Sequence, residues 1–290
     1  YVHVLLTRSK MGTSATMPRL IDTSHQGLDR VIGAWERDGS LIDPGPAATI
    51  DTVLAALDRP PEAVLLTHIH LDHAGATGTL VRQFPDLRVY VHEVGAPHLI
   101  DPERLLRSAA RLYGGDMDRL WGEVLPVPEE NVTTLAGGET VAGLEVLYTP
   151  GHASHHVTYF DESTGEAFVG DVGGVLIPPT SEVWIPTPPP DIDVQLWEAS
   201  IAAVRERAPE RLALTHFSAV EDPQAHLDAA SAELARLAEA ARPGDRERFL
   251  ASFGERIGRL PAAETERVRS AMPPEQVWLG LERYWRKRAA

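Results

Sequence analysis

The sequence predicts an α/β fold of layered strands and helices with a helical C-terminal extension. Three observations predict it. Short apolar strands alternate with helices between Leu20 and about residue 216, the pattern of α/β layers. Histidine and aspartate residues stand at the C-terminal ends of several of these strands, where open sheets gather their sites. From Asp222 onward the composition turns to Ala, Leu, Glu and Arg, with proline breaks between helical stretches.

Taken in order, residues 1–16 read as a vector-derived remnant or an N-terminal extension, with an edge strand as the alternative. Met17 opens a more regular start. Leu20–Asp22, Arg30–Trp35 and Ser40–Ile42 read as short strands, the last two joined by an Asp38-Gly39 hairpin turn. Asp43-Pro44-Gly45-Pro46 breaks the run, and Ala47–Leu57 reads as a helix. Ala63–Thr67 is a buried strand feeding a loop, and a helix begins near His73. Leu87–His92 is a strand, and 95–122 is helical. Val132–Leu135 and Glu139–Tyr148 are strand-like, and Val157–Phe160 pairs with Glu166–Val169 as a hairpin. Residues 178–190, with two proline runs and Trp184, read as a stiff surface loop bordering the mouth of a site. Val194–Arg207 is a helix and Arg211–Leu214 a strand. Helices near 223–241, 244–258, 261–271 and 274–288 close the chain. Their apolar markers, among them Leu234, Phe249, Phe253, Leu279 and Trp285, predict that 222–290 packs on a body spanning 17–221.

Composition narrows the function. Of 290 residues, 43% are hydrophobic and 24% charged, ordinary for a soluble globular protein, and no run of about 18 apolar residues marks a membrane span. The formal charge of −15 argues against nucleic acid as the main partner. No cysteine is present, so histidine and carboxylate are the only strong metal ligands. A cytoplasmic protein with a small-molecule substrate fits, and the oligomeric state stays open.

The chemistry sits in Thr67-His68-Ile69-His70-Leu71-Asp72-His73. Imidazole nitrogen and carboxylate oxygen suit zinc and similar divalent ions. Histidines two apart on an extended loop share a side, so His68 and His70 can grip one ion. Asp72 and His73 follow the turn and can reach a second. His152 follows a Pro150-Gly151 turn, Asp171 lies among Gly170, Gly173 and Gly174, and His216 ends a strand. His155 and His156 either line the cavity or hydrogen-bond behind it, and Trp184 would form an apolar wall. His92 and His98 lie on a segment that can face the pocket. His3, His25 and His226 read as surface residues.

The His68-x-His70-x-Asp72-His73 spacing resembles the signature of the metallo-β-lactamase fold superfamily. The resemblance continues in Thr149-Pro150-Gly151-His152, Gly170-Asp171 and Leu214-Thr215-His216. It implies an αββα sandwich whose catalytic domain is 17–221. It further implies that His68, His70 and His152 hold a first metal, that Asp72, His73 and His216 hold a second, and that Asp171 bridges them. Two divalent ions, zinc with iron or manganese as alternatives, would then carry a bridging hydroxide that attacks a small ester, thioester or lactone, with Asp72 orienting the nucleophile or passing a proton. The helical C-terminal region is similar to that of the glyoxalase II branch, although that branch's glutathione-contacting basic residues have no match. Alternatives within the fold are a phosphodiesterase and a mononuclear iron persulfide dioxygenase using His68, His152 and Asp171.

Overall fold

The computed structural model describes residues 17–289; the N-terminal reading for residues 1–16, including His3, lies outside them. The first half forms a six-stranded sheet in simple sequential order: β1 (Arg19–Asp22), β2 (Gly33–Arg37), β3 (Ser40–Ile42), β4 (Ala63–Leu65), β5 (Arg88–His92) and β6 (Val132–Leu135). The first three strands are antiparallel, with Arg37 paired to Ser40 across the Asp38-Gly39 turn. From β3 to β6 the pairing is parallel, and the connections carry helices as parallel crossovers require. These helices are α1 (Ile50–Ala56), α2 (Leu71–Ala74), α3 (Thr77–Gln83), α4 (Ala96–Ile100), α5 (Glu103–Tyr113) and α6 (Met117–Trp121).

The second half builds an opposing sheet from β7 (Thr140–Val141), β8 (Leu144–Tyr148), β9 (Val157–Asp161) and β10 (Glu166–Phe168). A small hairpin follows, β11 (Val175–Leu176) with β12 (Val183–Trp184). After α7 (Val194–Glu206), β13 (Arg211–Ala213) and β14 (Ala219–Val220) complete the sheet in the order β14-β13-β10-β9-β8-β7. Only β10 and β13 pair in parallel, with α7 in their connection.

Strand alternation sorts side chains into layers. Tyr159 and Phe168 turn inward to meet Trp35, Ile42 and Leu65 of the first sheet. Neighbouring Phe160 and Ala167 turn outward against Trp197, Ile201 and Val204 of α7. On the far side, Val64, Val89 and Val91 pack under Val53, Leu80 and Val81. The result is an αββα sandwich, as the sequence implies. Polar threads also cross its centre: the Tyr159 hydroxyl donates to Leu66 O at 2.8 Å and Trp35 Nε1 to Leu214 O at 3.0 Å.

The tail forms four helices, α8 (Pro223–Ala241), α9 (Arg246–Ile257), α10 (Ala262–Ala271) and α11 (Pro274–Ala289). Asp222 and Asp245 cap α8 and α9 by accepting from the first-turn backbone. Leu234, Phe249, Phe253 and Trp278 join the same apolar core as α7 and the outer face of the second sheet. Leu279, by contrast, is exposed. Helix α11 approaches the body so closely at Gly280 that an added Cβ would lie 1.9 Å from Thr187 O.

Two sequence expectations fail at this seam. Residues 178–190 are not simply a surface loop, because they contain β12 and bury Trp184 and Ile185 completely. Trp184 faces away from any cavity mouth; its ring meets Phe253 at 5.8 Å between centroids and lies under the Arg256 guanidinium. The proline run is forced down by the tail, which supplies its apolar partners. Phe253→Ala should therefore cost about 3–5 kcal/mol, the usual range for emptying an aromatic core position. Urea unfolding should show one cooperative transition at lower midpoint. Two separated transitions, with the first half untouched, would show instead that the tail is an independent unit.

Candidate metal centre

Seven predicted residues converge where strand ends of the two sheets meet. His68 follows β4, His152 follows β8, Asp171 follows β10 and His216 follows β13. His70 precedes the short helix α2, which carries Asp72 and His73. At Gly151, φ of +132° turns the chain back toward the cleft, a conformation L side chains rarely adopt.

The side chains form two groups. In the first, His68 Nε2 and His152 Nε2 each lie 3.0 Å from His70 Nδ1. In the second, His216 Nε2 lies 3.3 Å and His73 Nε2 3.9 Å from Asp72 Oδ2. Asp171 stands between them. Its Oδ2 is 3.3 Å from His152 Nε2, and its Oδ1 is 3.2 Å from His73 Nε2 and 3.7 Å from His216 Nε2.

The outer ring nitrogens are already engaged. His152 Nδ1 donates to Pro186 O at 3.0 Å and His216 Nδ1 to Val31 O at 2.8 Å. His73 Nδ1 donates to Asp43 Oδ2 at 2.8 Å. Thr67 Oγ1 gives its proton to the same Asp43 oxygen at 2.7 Å, which leaves it to accept from His68 Nδ1 at 3.1 Å. Each of these four rings therefore turns an unprotonated Nε2 inward in its neutral form, the tautomer a metal requires. His73 Nε2, Asp171 Oδ1 and His216 Nε2 are buried without any hydrogen-bond partner. Buried polar atoms without a partner are costly unless something binds them. The donor set fits divalent metal ions at both groups.

The two groups differ electrostatically. Burial and neighbouring imidazoles hold His68 well below the usual histidine range, and burial pushes His152 down to about 3 and lowers His70. Burial acts the same way on His73, but Asp171, Asp43 and Asp72 outweigh it and raise His73 well above its ordinary value. Burial likewise opposes a charged His216, but Asp171 and Asp72 raise it. Burial alone would raise Asp171, yet His73, His216 and His152 hold it well below the carboxylate range.

Asp43 is the residue that sequence reasoning missed; it read only as part of a proline turn. It is fully buried, and its carboxylate also accepts from Thr67 N at 2.8 Å and Thr215 Oγ1 at 2.9 Å. An aspartate directly ending an apolar strand was the available signal.

A cavity of about 610 Å³ opens beside the cluster and is lined by His70, Asp72, Asp171 and His155 among others. His155 and His98 line it; His156 does not. His156 is buried behind the site, bonded to Thr149 Oγ1 at 2.9 Å and accepting from Asp171 N at 3.2 Å, so it positions the Asp171 backbone. Trp184 is likewise absent from the lining, and Pro186–Pro190 take its expected place. His92 stacks on Tyr148 instead. Two histidines expected at the surface are buried: His226 bonds Gly173 O at 2.8 Å, and His25 stacks on Trp121 while lining the cavity.

An αββα sandwich with paired histidine groups and a carboxylate between them at the strand ends defines a class of metal-binding folds. The chain belongs to the metallo-beta-lactamase superfamily, whose family model matches residues 36–216. It is 32% identical over 135 residues to hydroxyacylglutathione hydrolase of Aeromonas hydrophila, over 45% of this chain and 41% of that protein. The chain thus spans less than half the length of this curated relative. An archaeal metallo-beta-lactamase superfamily protein from Sulfolobus tokodaii superposes with a TM-score of 0.68 at 21% identity, covering 91% of this chain and 97% of that one, a likeness of fold. The protein TTHA1623, solved in a di-iron-bound form, gives a TM-score of 0.50 at 26% identity over 77% and 96%.

The opposite shifts predict different proton accounting. Burial lowers the imidazoles of the first group, whereas the neighbouring carboxylates raise His73 and His216. Calorimetry in buffers of different ionisation enthalpy should show little proton release for an ion taken by the first group and clear release for one taken by the second, whose uptake should strengthen as pH rises. Equal release at both steps would contradict the assignment. Asp43→Asn, which removes the anion behind His73 and His68, should weaken metal affinity by roughly 10–100-fold, read by chelator competition.

Proposed function

We propose that this chain is a dinuclear metal-dependent hydrolase of a small ester, thioester or lactone. The observation that carries the reading is Asp171, whose two oxygens face different histidine groups. A lone metal held by His68, His152 and Asp171, as in the dioxygenase alternative, would leave His73 and His216 as buried orphans. The relative named hydroxyacylglutathione hydrolase and the di-iron form of TTHA1623 support hydrolysis and a two-metal centre respectively. Zinc is the expected metal, with iron or manganese the alternatives.

Two divalent ions at this centre would lower the pKa of water toward neutrality and polarise the scissile carbonyl. The chain's own residues do the rest. His68, His70 and His152 stay neutral and so offer lone pairs at neutral pH. Asp72 is more open to the cavity than Asp171. It is placed to orient the attacking water and to hand a proton toward the leaving group. His156 keeps Asp171 aimed between the groups, and buried surroundings exclude bulk water from it. The partner is a small molecule in the cavity.

Elemental analysis with a panel of thioester, lactone and phosphodiester substrates tests this. Wild type should hold two metals per chain. Asp171→Ala should lose both and hydrolysis should drop by several orders of magnitude, whereas His216→Ala should empty mainly the second group. Glu247→Ala, exposed on α9, serves as the control and should change neither quantity. A single iron per chain, with oxygen consumed on a persulfide and no hydrolysis, would sink the proposal.

A further inference from the structure

We infer that the substrate of this centre carries an extended apolar arm, held between the α5–α6 segment and the α10–α11 junction. The inference rests on the hydrolase reading and names its substrate class. Three apolar clusters make up the layers of the sandwich and the tail. A fourth stands apart: Leu71, Ala109 and Trp121, with Leu105, Tyr113 and Leu120 only partly covered. All six border the cavity, together with Leu112. Across from them the tail presents Met272, Pro273 and Val277, and the proline run presents Pro186–Pro190. Beside the metal cluster's own groups, the charged residues of the lining include Arg104, Asp116, Arg119, Glu266 and Arg269, all of them exposed. Half-covered leucines facing prolines across a void lose little water on folding and gain most when a ligand fills the gap.

The walls are held in place before any ligand arrives. The Tyr113 hydroxyl donates to Gln276 Oε1 at 3.2 Å, tying α5 to α11. Gln26 Nε2 donates to Ser270 Oγ at 3.1 Å, and Gln26 Oε1 accepts from Arg119 at 2.6 Å, tying the β1–β2 loop to α10 and α6. Arg267 pairs with Asp29 across the same seam. A preformed cavity of about 610 Å³, with one continuous apolar wall on α5 and α6, has the size that takes drug-sized ligands. At the catalytic end, His25 lies flat on Trp121 with Nδ1 buried and unbonded; burial pushes its pKa down to about 4, so it enters the cavity uncharged. An uncharged wall there admits an apolar arm without stranding a charge.

The arm can sit on the acyl or the alcohol side of the scissile bond, so two ester series are needed. One lengthens the acyl group from acetyl to decanoyl at constant leaving group; the other lengthens the alcohol of acetate esters. In at least one series kcat/KM should climb with length, by up to roughly fourfold for each methylene that is fully buried. Ser108→Trp, which puts a large ring into the cavity from the partly exposed face of α5, should lower the octyl-to-ethyl preference by about tenfold or more. Leu112→Gln, which wets the wall without filling it, should lower it in the same direction. Calorimetric binding of octanoate and of 1-octanol to the metal-loaded protein gives a readout independent of turnover. Either should bind at least tenfold more tightly than acetate or ethanol, by about the same burial term, and Ser108→Trp should remove the difference. Octyl binding without hydrolysis of any ester would leave this inference standing and overturn the hydrolase reading. Hydrolysis with no length preference and no octyl binding would overturn the inference alone. A preference for short anionic arms would also overturn it and would assign recognition to the rim arginines Arg104 and Arg269.

Discussion

One buried carboxylate organises this protein. Asp43 has no access to solvent, yet it gathers a threonine hydroxyl from each of two other strand ends, a backbone N–H and an imidazole. A buried charge is tolerated only when it is fully hydrogen-bonded. That condition binds the end of β3 to the ends of β4 and β13, strands of opposite sheets. The register of the sandwich and the placement of His68, His73 and His216 are thus set by one satisfied anion. Each partner lost would leave a buried lone pair unsatisfied, so the arrangement has little room to drift.

The centre built on that anchor is asymmetric by design of its surroundings. The first histidine group is desolvated among other imidazoles and stays neutral. In the second, Asp171 and Asp72 raise both His73 and His216, and Asp43 adds to the effect on His73. Asp171 stands between both, and His73 and His216, with His152 on the other side, hold its carboxyl down against burial. The inner nitrogens of His73 and His216 and one Asp171 oxygen have no hydrogen-bond partner in the protein. Buried polar atoms of this kind are retained where binding repays them.

The helical tail changes the site as well as the core. Its apolar faces cover the outer layer of the second sheet, and its α10–α11 junction forms one wall of the cavity. Because Trp184 is drawn into that interface, the proline run after it is carried toward the metal cluster, and Pro186 O receives the His152 proton. A stretch that reads as exposed loop thereby becomes part of the site's support. Packing of a distant segment and orientation of a ligand are here the same event.

The local pattern was enough to determine the elements. Strand-forming runs bounded by turn residues marked β8 and β9, proline breaks marked the tail helices within a residue or two, and ligand spacing at 68–73 marked the centre. These signals are short-range: strand period, helix period and turn chemistry act over a few residues. What the sequence could not decide depends on partners tens of residues away or more. Trp184 reads as a cavity wall until Phe253 and Arg256 are seen to enclose it. His25 and His226 read as surface residues until Trp121 and the Gly173 carbonyl cover them. Asp43 reads as a turn former until Thr67, His73 and Thr215 converge on it. The residue types at the centre were written in the chain; which of their atoms face inward, and what shapes the space beside them, follows from burial and hydrogen-bond satisfaction that only the assembled sheets and tail can impose.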